Sequence, residues 1–292
     1  MSLIDPKAAA AERDRKLVGS PRALTATLLW GLAGFAAATV IGFGIGGFFD
    51  QVRIVSLNSV FSTWDGGILV AVRSTALPVG IIGSIITMGA YSAWNHRYTG
   101  RRTYYAFLGP ASIVLLGLAT GVLLSLPMWA APDAVGVAVD PVFHEDEAWG
   151  VGAWIMYTGI WWLPGIFIAL GLTSIIGRVR AQRFRRRNTD LAAELLASGR
   201  LVDAEVTSSP LLSAEAMTAS RAAVSLTFAF DDGQGARRWV TCLALLPPRE
   251  VPAEGETRPL VFDPRTPSDV KRIFVSPTGD LEPSAFVAVR AA

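Results

Sequence analysis

Four long apolar stretches, Ala23 to Phe49, Gly66 to Trp94, Tyr104 to Ala131 and Gly150 to Gly177, fill the first three-fifths of this chain. At about 1.5 Å rise per residue, each is longer than the roughly 20 residues a helix needs to cross a hydrocarbon core of about 30 Å. The stretches therefore predict four membrane spans, with length to spare for tilt or interfacial ends.

The flanking charges predict the orientation, because lysine and arginine stay on the cytoplasmic side. Lys7, Arg13, Arg15, Lys16 and Arg22 precede the first stretch, and the next loop, Asp50 to Asp65, has only Arg53. Arg97, Arg101 and Arg102 follow the second stretch. The loop from Pro132 to Trp149 has no basic residue but holds Asp133, Asp140, Glu145, Asp146 and Glu147, and six arginines follow between Arg178 and Arg187. High, low, high, none, high implies both termini in the cytoplasm. A secretory signal has an apolar region of about 7 to 15 residues, so the first stretch is too long for one and is expected to be retained. Residues 1–22 read either as a short surface helix, with Asp5 as cap, Pro6 at its first turn and Gly19 as stop, or as a charged tail that sets topology.

Composition agrees: 51% of residues are hydrophobic and 17% charged, against about 25% charged in ordinary soluble domains. The net charge of +2 gives no general case for nucleic-acid binding. Alanine-rich, lysine-poor usage is associated with high-GC bacteria, so the expected location is a bacterial cytoplasmic membrane. The single cysteine, Cys242, excludes an internal disulfide and reads as a small core residue.

The spans carry almost no ionisable residues, which argues against a pump or proton relay. Arg73 is the exception. It snorkels to the outer headgroups, or precedes a span that begins near Ser74, or serves as a functional charge near Asp65 and the Pro78 kink. Small residues are plentiful instead. Ala38, Gly42 and Gly46 recur at four-residue spacing in the first span, and Gly117 with Gly121 does so in the third, giving flat faces for close helix packing within one chain or between protomers. Trp129, Trp149, Tyr104 and Tyr105 fall where interfacial belts should lie, and Trp161, Trp162 and Pro164 could shape a groove or fill space between helices. His144, Glu145, Asp146 and Glu147 contain metal-ligand types, but adjacent residues cannot converge on one ion, and the loop reads as a solvated acidic cap.

Past the fourth span, Arg183, Arg185, Arg186 and Arg187 are placed to meet anionic lipid at the inner surface. A short helix is expected next, capped by Asn188 or Thr189, apolar through Leu191, Leu195 and Leu196, and ended by Gly199. Periodicity then changes to two. Val202 to Val206 and Val224 to Phe230 alternate as half-buried strands, Asp231 to Gly235 forms a turn, and Arg237 to Leu245 returns as the other arm of a hairpin. Shorter strands are expected at 258–262 and 271–275, with 208–220 a loop or short helix, and the apolar tail 281–292 is expected to dock on the domain or on a partner. Asp231, Asp232 and Asp263 fall in turns, where structural roles are expected. No phosphate loop, nucleophile elbow or zinc spacing occurs in the chain.

The fold class is thus α+β: a four-helix transmembrane bundle (23–177), a basic linker with a short helix (178–199), and a small cytoplasmic β-barrel-like domain (200–280). The opening Gly199 to Val206, the strand and glycine turn from Val224 to Gly235, and the strand Leu260-Val261-Phe262 running into Asp263-Pro264 resemble the bacterial DUF3592 family over about 80 residues. That resemblance implies a membrane-associated β-rich domain of non-enzymatic role. A looser similarity of layout exists to NfeD-type proteins, with membrane helices followed by a small barrel. No cofactor is expected. The leading expectation is a non-enzymatic module for a membrane complex, with the bilayer and another membrane protein, or a second copy, as partners and no nucleic acid. The alternatives are an oligomeric transport or channel component and a membrane enzyme acting on lipid.

Overall fold

The computed structural model describes residues 12, 14–59, 68–100, 104–210 and 213–291, excepting the side chains of 68–74, 214 and 216. The proposed Asp5–Pro6 helix start, and Lys7, Arg13, Asp65, Arg101 and Arg102, lie outside these residues. The chain divides into two compact units, Met1–Arg178 and Val179–Ala292.

The first unit is built on helices α1 (Pro21–Leu57), α2 (Ile68–Thr99), α3 (Pro110–Ser125), the short α4 (Val151–Tyr157) and the first part of α5 (Gly159–Ser198). Four helical segments are long and apolar enough to cross a membrane: Pro21–Leu57, Thr75–Thr99, Pro110–Met128 and Gly159–Ser198. Gly19, at φ 71°, ends the preceding turn and donates its N–H to Tyr98 O at 2.9 Å. Ser20 then caps α1 by accepting from Ala23 N, and Pro21 begins the helix. α1 is central and packs along both α2 and α3, which scarcely touch each other. α3 begins at Pro110 rather than near Tyr104, and passes through a 3₁₀ turn, Leu126–Met128, that contains Pro127. Between α3 and α4, a two-residue ladder joins β1 (Val137–Ala138) to β2 (Glu147–Ala148).

Two helix boundaries differ from expectation for the same reason. α1 runs through Asp50 and Arg53 to Leu57, where a loop was expected, because no glycine or proline follows Gly47 until the chain has passed Asn58. α5 likewise continues through the arginine run, so the expected linker and separate short helix are one uninterrupted helix. Arginine is a good helix former, and Thr189 is not a cap: its Oγ1 donates back to Arg185 O at 3.0 Å. The stop does fall at Gly199, where a Cβ would sit 2.6 Å from Leu195 O and 2.7 Å from Phe262 O.

The second unit is a seven-stranded antiparallel sheet in the order β8-β7-β6-β3-β4-β5-β9. Its strands are β3 (Arg200–Ser208), β4 (Ala222–Asp231), β5 (Arg237–Leu246), β6 (Thr257–Phe262), β7 (Ile273–Val275), β8 (Val287–Ala288) and β9 (Arg290–Ala291). A short helix, α6 (Ala214–Thr218), lies between β3 and β4. β4 and β5 pair over their whole lengths, from Ala222 opposite Leu246 to Asp231 opposite Arg237. The final segment pairs with both edges: Val287 with Val275 on β7, and Arg290 with Thr241 on β5. This brings the sheet nearly to closure and occupies the edges that would otherwise template association. The tail 281–292, expected to dock on the domain or on a partner, is partly strand of the sheet itself, with Phe286 and Val289 buried.

Inward-facing residues of every long strand fill the interior, including Val206, Leu226, Phe228, Val240, Leu260, Phe262 and Val275. A second cluster lies on the outer face of β6 and β7, where Val261, Phe274 and Phe286 are covered by Ala192 and Leu195 of α5. That explains why 260–262 is an unbroken apolar run: its strand is buried on both faces. Cys242 belongs to the interior, and burial pushes its thiol up to about 12. We expect it to remain unmodified by a maleimide at pH 8 and to react only when denaturant opens the barrel; mass spectrometry reads the adduct.

Candidate functional site

The small-residue positions meet backbone within the chain. A Cβ on Gly42 would lie 2.2 Å from Leu118 O, and one on Gly121 would lie 2.0 Å from Thr39 O. One on Gly117 would lie 2.6 Å from Ala38 Cβ, and one on Gly46 would lie 2.0 Å from Ser125 Oγ. Ala38, Gly42, Gly46, Gly117 and Gly121 thus form the α1–α3 seam. α5 approaches through larger groups: Ser112 and Ser174 share a hydrogen bond of 2.9 Å, Gly171 lies against Leu116, and Trp162 stands edge-on to Phe49. Trp161 is 77% exposed. Thr39, Val40, Phe43, Thr75, Ala76, Val79 and Leu124 line an open, largely apolar groove of about 430 Å³. Arg73 belongs to α2, and its side chain lies outside the described set.

Where α1 ends, the helix bears a buried ion pair that sequence reading assigned to a loop. Arg53 donates to Asp50 Oδ1 through Nε at 3.2 Å and Nη2 at 2.8 Å, and both residues are 3% exposed. Asp50 Oδ2 accepts from Ala130 N at 3.1 Å, and Arg53 Nη2 also donates to Ala130 O. The guanidinium lies 5.2 Å above the Trp129 ring, whose Nε1 donates to Ser125 Oγ at 3.0 Å. Trp149 Nε1 donates to Leu57 O at 2.8 Å. The cluster fastens the last turns of α1 to residues 129–130 and 149. Its groups are spent on one another, so the arrangement holds structure rather than presenting a reactive atom. The i, i+3 spacing of Asp50 and Arg53 in an unbroken helical pattern was the available signal.

A second polar cluster fastens the opposite end of α1's neighbours. Asn95, 1% exposed, donates to Tyr104 O at 2.7 Å and accepts from Ala106 N at 3.0 Å. Tyr91 donates to Leu108 O at 2.5 Å and stacks on Tyr105, while Arg178 lies over the Tyr105 ring and donates to its carbonyl. This clamp takes up residues 104–108, which is why the third apolar stretch starts as irregular, bent chain before α3.

Two carboxylates of the acidic loop hold its backbone. Asp140 Oδ1 accepts from Val142 N and Phe143 N, and Asp146 accepts from Asp140 N. Among the described residues no cluster of histidine, cysteine and carboxylates could hold a metal ion. Arg183, Arg185, Arg186 and Arg187 are all exposed on α5, and Phe184 among them is 63% exposed.

In the sheet, the turn aspartates separate into distinct roles. Asp232, buried, accepts from Gln234 N at 2.8 Å and Ala236 N at 3.2 Å, and pairs with Arg238 at 2.8 Å. The Gln234 N–H holds its carboxyl below the usual range, against the opposing effect of burial, with Ala236 and Arg238 adding to the depression. A depressed carboxyl contributes stability that is present above the unfolded pKa, about 3.9, and is lost as pH falls through the folded value. We expect Asp232→Asn to flatten the acid limb of the thermal-stability profile below about pH 4, read by near-ultraviolet circular dichroism. Asp263 Oδ1 accepts from Arg265 N at 2.9 Å, and its Oδ2 lies 3.1 Å from Arg272 Nε. Both carboxylates accept from turn N–H groups and face an arginine.

The fold and these clusters define a class, a protein with four helices able to cross a membrane and a separate, nearly closed antiparallel sheet. No family model, curated protein or solved structure matches the chain.

Proposed function

We propose that the chain is a multi-pass protein of a bacterial cytoplasmic membrane, with both termini in the cytoplasm, whose small barrel binds, scaffolds or regulates another membrane protein. One observation carries this reading. The barrel interior is filled by its own side chains, so recognition belongs to the exterior, where Leu201 and Met217 are about half exposed or more. Methionine is enriched at protein interfaces, and an exposed leucine adds apolar area. The charge pattern of the loops supports the orientation, and Phe184 among exposed arginines suits a helix segment at a lipid surface. The resemblance to DUF3592, carried by Gly199 to Val206, Val224 to Gly235 and Leu260 to Pro264, belongs to the same proposal.

Purification of the tagged full-length protein from its native membranes in mild detergent tests the reading. Recurrent recovery of one other membrane protein, or of a defined self-assembly, supports it; a monodisperse chain with no partner in repeated preparations contradicts it. A transport role built on oligomerisation through the small-residue faces is disfavoured, because those faces are occupied within one chain.

A further inference from the structure

The outer face of β5 departs from the polar pattern expected of a solvated strand. Its outward positions include Trp239, Leu243 and Leu245, exposed by 53%, 65% and 53%. On the neighbouring β4 the residues opposite them are Ala229, Ser225 and Ala223. On the other side, Arg290 of β9 sits opposite Thr241, between the tryptophan and the leucines, and is exposed. No carboxylate occurs on this face from Trp239 to Leu245 or on the opposed stretch of β4 from Ala223 to Ala229. Arg290 has no ion pair among the described residues, and Arg221, exposed just before β4, has none either.

Size excludes one occupant, a protein arriving from solution. The three large side chains expose on the order of 350 Å² in all, whereas a stable protein interface buries about 800 Å² on each partner. The patch is too small to hold a free protein. It is sufficient for a domain already tethered to a bilayer, where the tether replaces the search in solution and a weak contact is populated. A tryptophan with leucines beside arginine is also the chemistry of the headgroup boundary, with the ring and aliphatic groups entering and the guanidinium meeting phosphate.

We propose that this face docks the barrel onto an anionic lipid surface, Trp239, Leu243 and Leu245 entering the headgroup boundary and Arg290 pairing with lipid phosphate. The inference rests on the membrane-anchored reading above but not on a protein partner, nor on which side of the membrane the barrel occupies.

The test places a nitroxide at Leu243→Cys in the full-length protein, in nanodiscs of phosphatidylcholine and phosphatidylglycerol, the buried Cys242 leaving the new thiol as the labelled one. Both leaflets of such discs carry the same lipids, so a reversed topology in cells would defeat the proposed function while leaving this reading intact. Collision with oxygen should exceed collision with a water-soluble nickel complex at position 243, and the order should reverse at the reference site Lys271→Cys. Adding Arg290→Glu, or replacing the anionic lipid with phosphatidylcholine, should shift position 243 toward the aqueous value. An aqueous signature in the anionic discs overturns the proposal, and so does shielding from both reagents, which marks a protein contact. Docking that ignores both charge changes overturns the role of Arg290.

Discussion

Gly121→Ala should cost the helical unit at least about 3 kcal/mol, the upper end of ordinary overpacking. The added Cβ would lie 2.0 Å from Thr39 O and 2.5 Å from Phe43 N, both backbone atoms of α1. A flexible neighbour could swing aside, but backbone yields only if the helices part, and parting them loosens the whole α1–α3 seam. Gly42→Ala should act alike, since its Cβ would meet Leu118 O at 2.2 Å. Gly89→Ala is the internal comparison, with nothing within 4 Å of its Cβ. It should be neutral or stabilise by up to about 1 kcal/mol, as alanine is the better helix former. Because membrane proteins often unfold irreversibly, the readout is the half-life of monodisperse protein in detergent at a fixed temperature. Equal half-lives for Gly121→Ala and Gly89→Ala would show that the seam is not closely packed.

Asp50→Ala should cost about 3–5 kcal/mol, the usual consequence of taking one partner from a buried ion pair. Arg53 would keep its carbonyl contact and the face of Trp129 but lose the carboxylate that neutralises it, at 3% exposure. Asp50→Asn should fall between, because the amide oxygen can still accept while the charge is gone. Arg53→Lys should also be damaging, since a single ammonium cannot span Asp50 Oδ1 and Ala130 O as the guanidinium fork does. The double variant Asp50→Ala with Arg53→Met should lose less than the sum of its parts, and this coupling separates the pair from two independent packing defects. Additive losses would remove the ion pair from the structural core of this unit.

Much of the architecture was legible because it rests on strong periodicities. The spans announced themselves through apolar length, and the β4–β5 hairpin through alternation around Asp231 to Gly235. The errors came where one signal was read as two. Asp50 and Arg53 looked like the edge of a span, since charge is costly in lipid, but a pair three residues apart neutralises itself on a helix. The arginine run looked like a linker, although arginine sustains helix well enough for α5 to continue to Ser198. β8 and β9 are two residues each, too short for alternation to show, and they exist because two sheet edges were available to pair with. Asn95 is one polar residue in an apolar helix. Its role depends on Tyr104 O and Ala106 N, backbone groups whose position no sequence pattern encodes. The outward stripe on β5 was present in the alternation of Trp239, Leu243 and Leu245, but only the burial of the opposite face shows that this side is the exterior.

The central claim, that the barrel exterior is a recognition surface for another membrane protein, is most directly tested by photo-crosslinking in native membranes. A photoreactive phenylalanine analogue at Leu201 and at Met217, both exposed and neither on β5, samples that surface without touching the core. The expected result is a single recurring membrane-protein adduct from at least one of these positions, absent when the analogue is placed at the buried Phe228. Lipid adducts alone, or none, at both Leu201 and Met217 would contradict it.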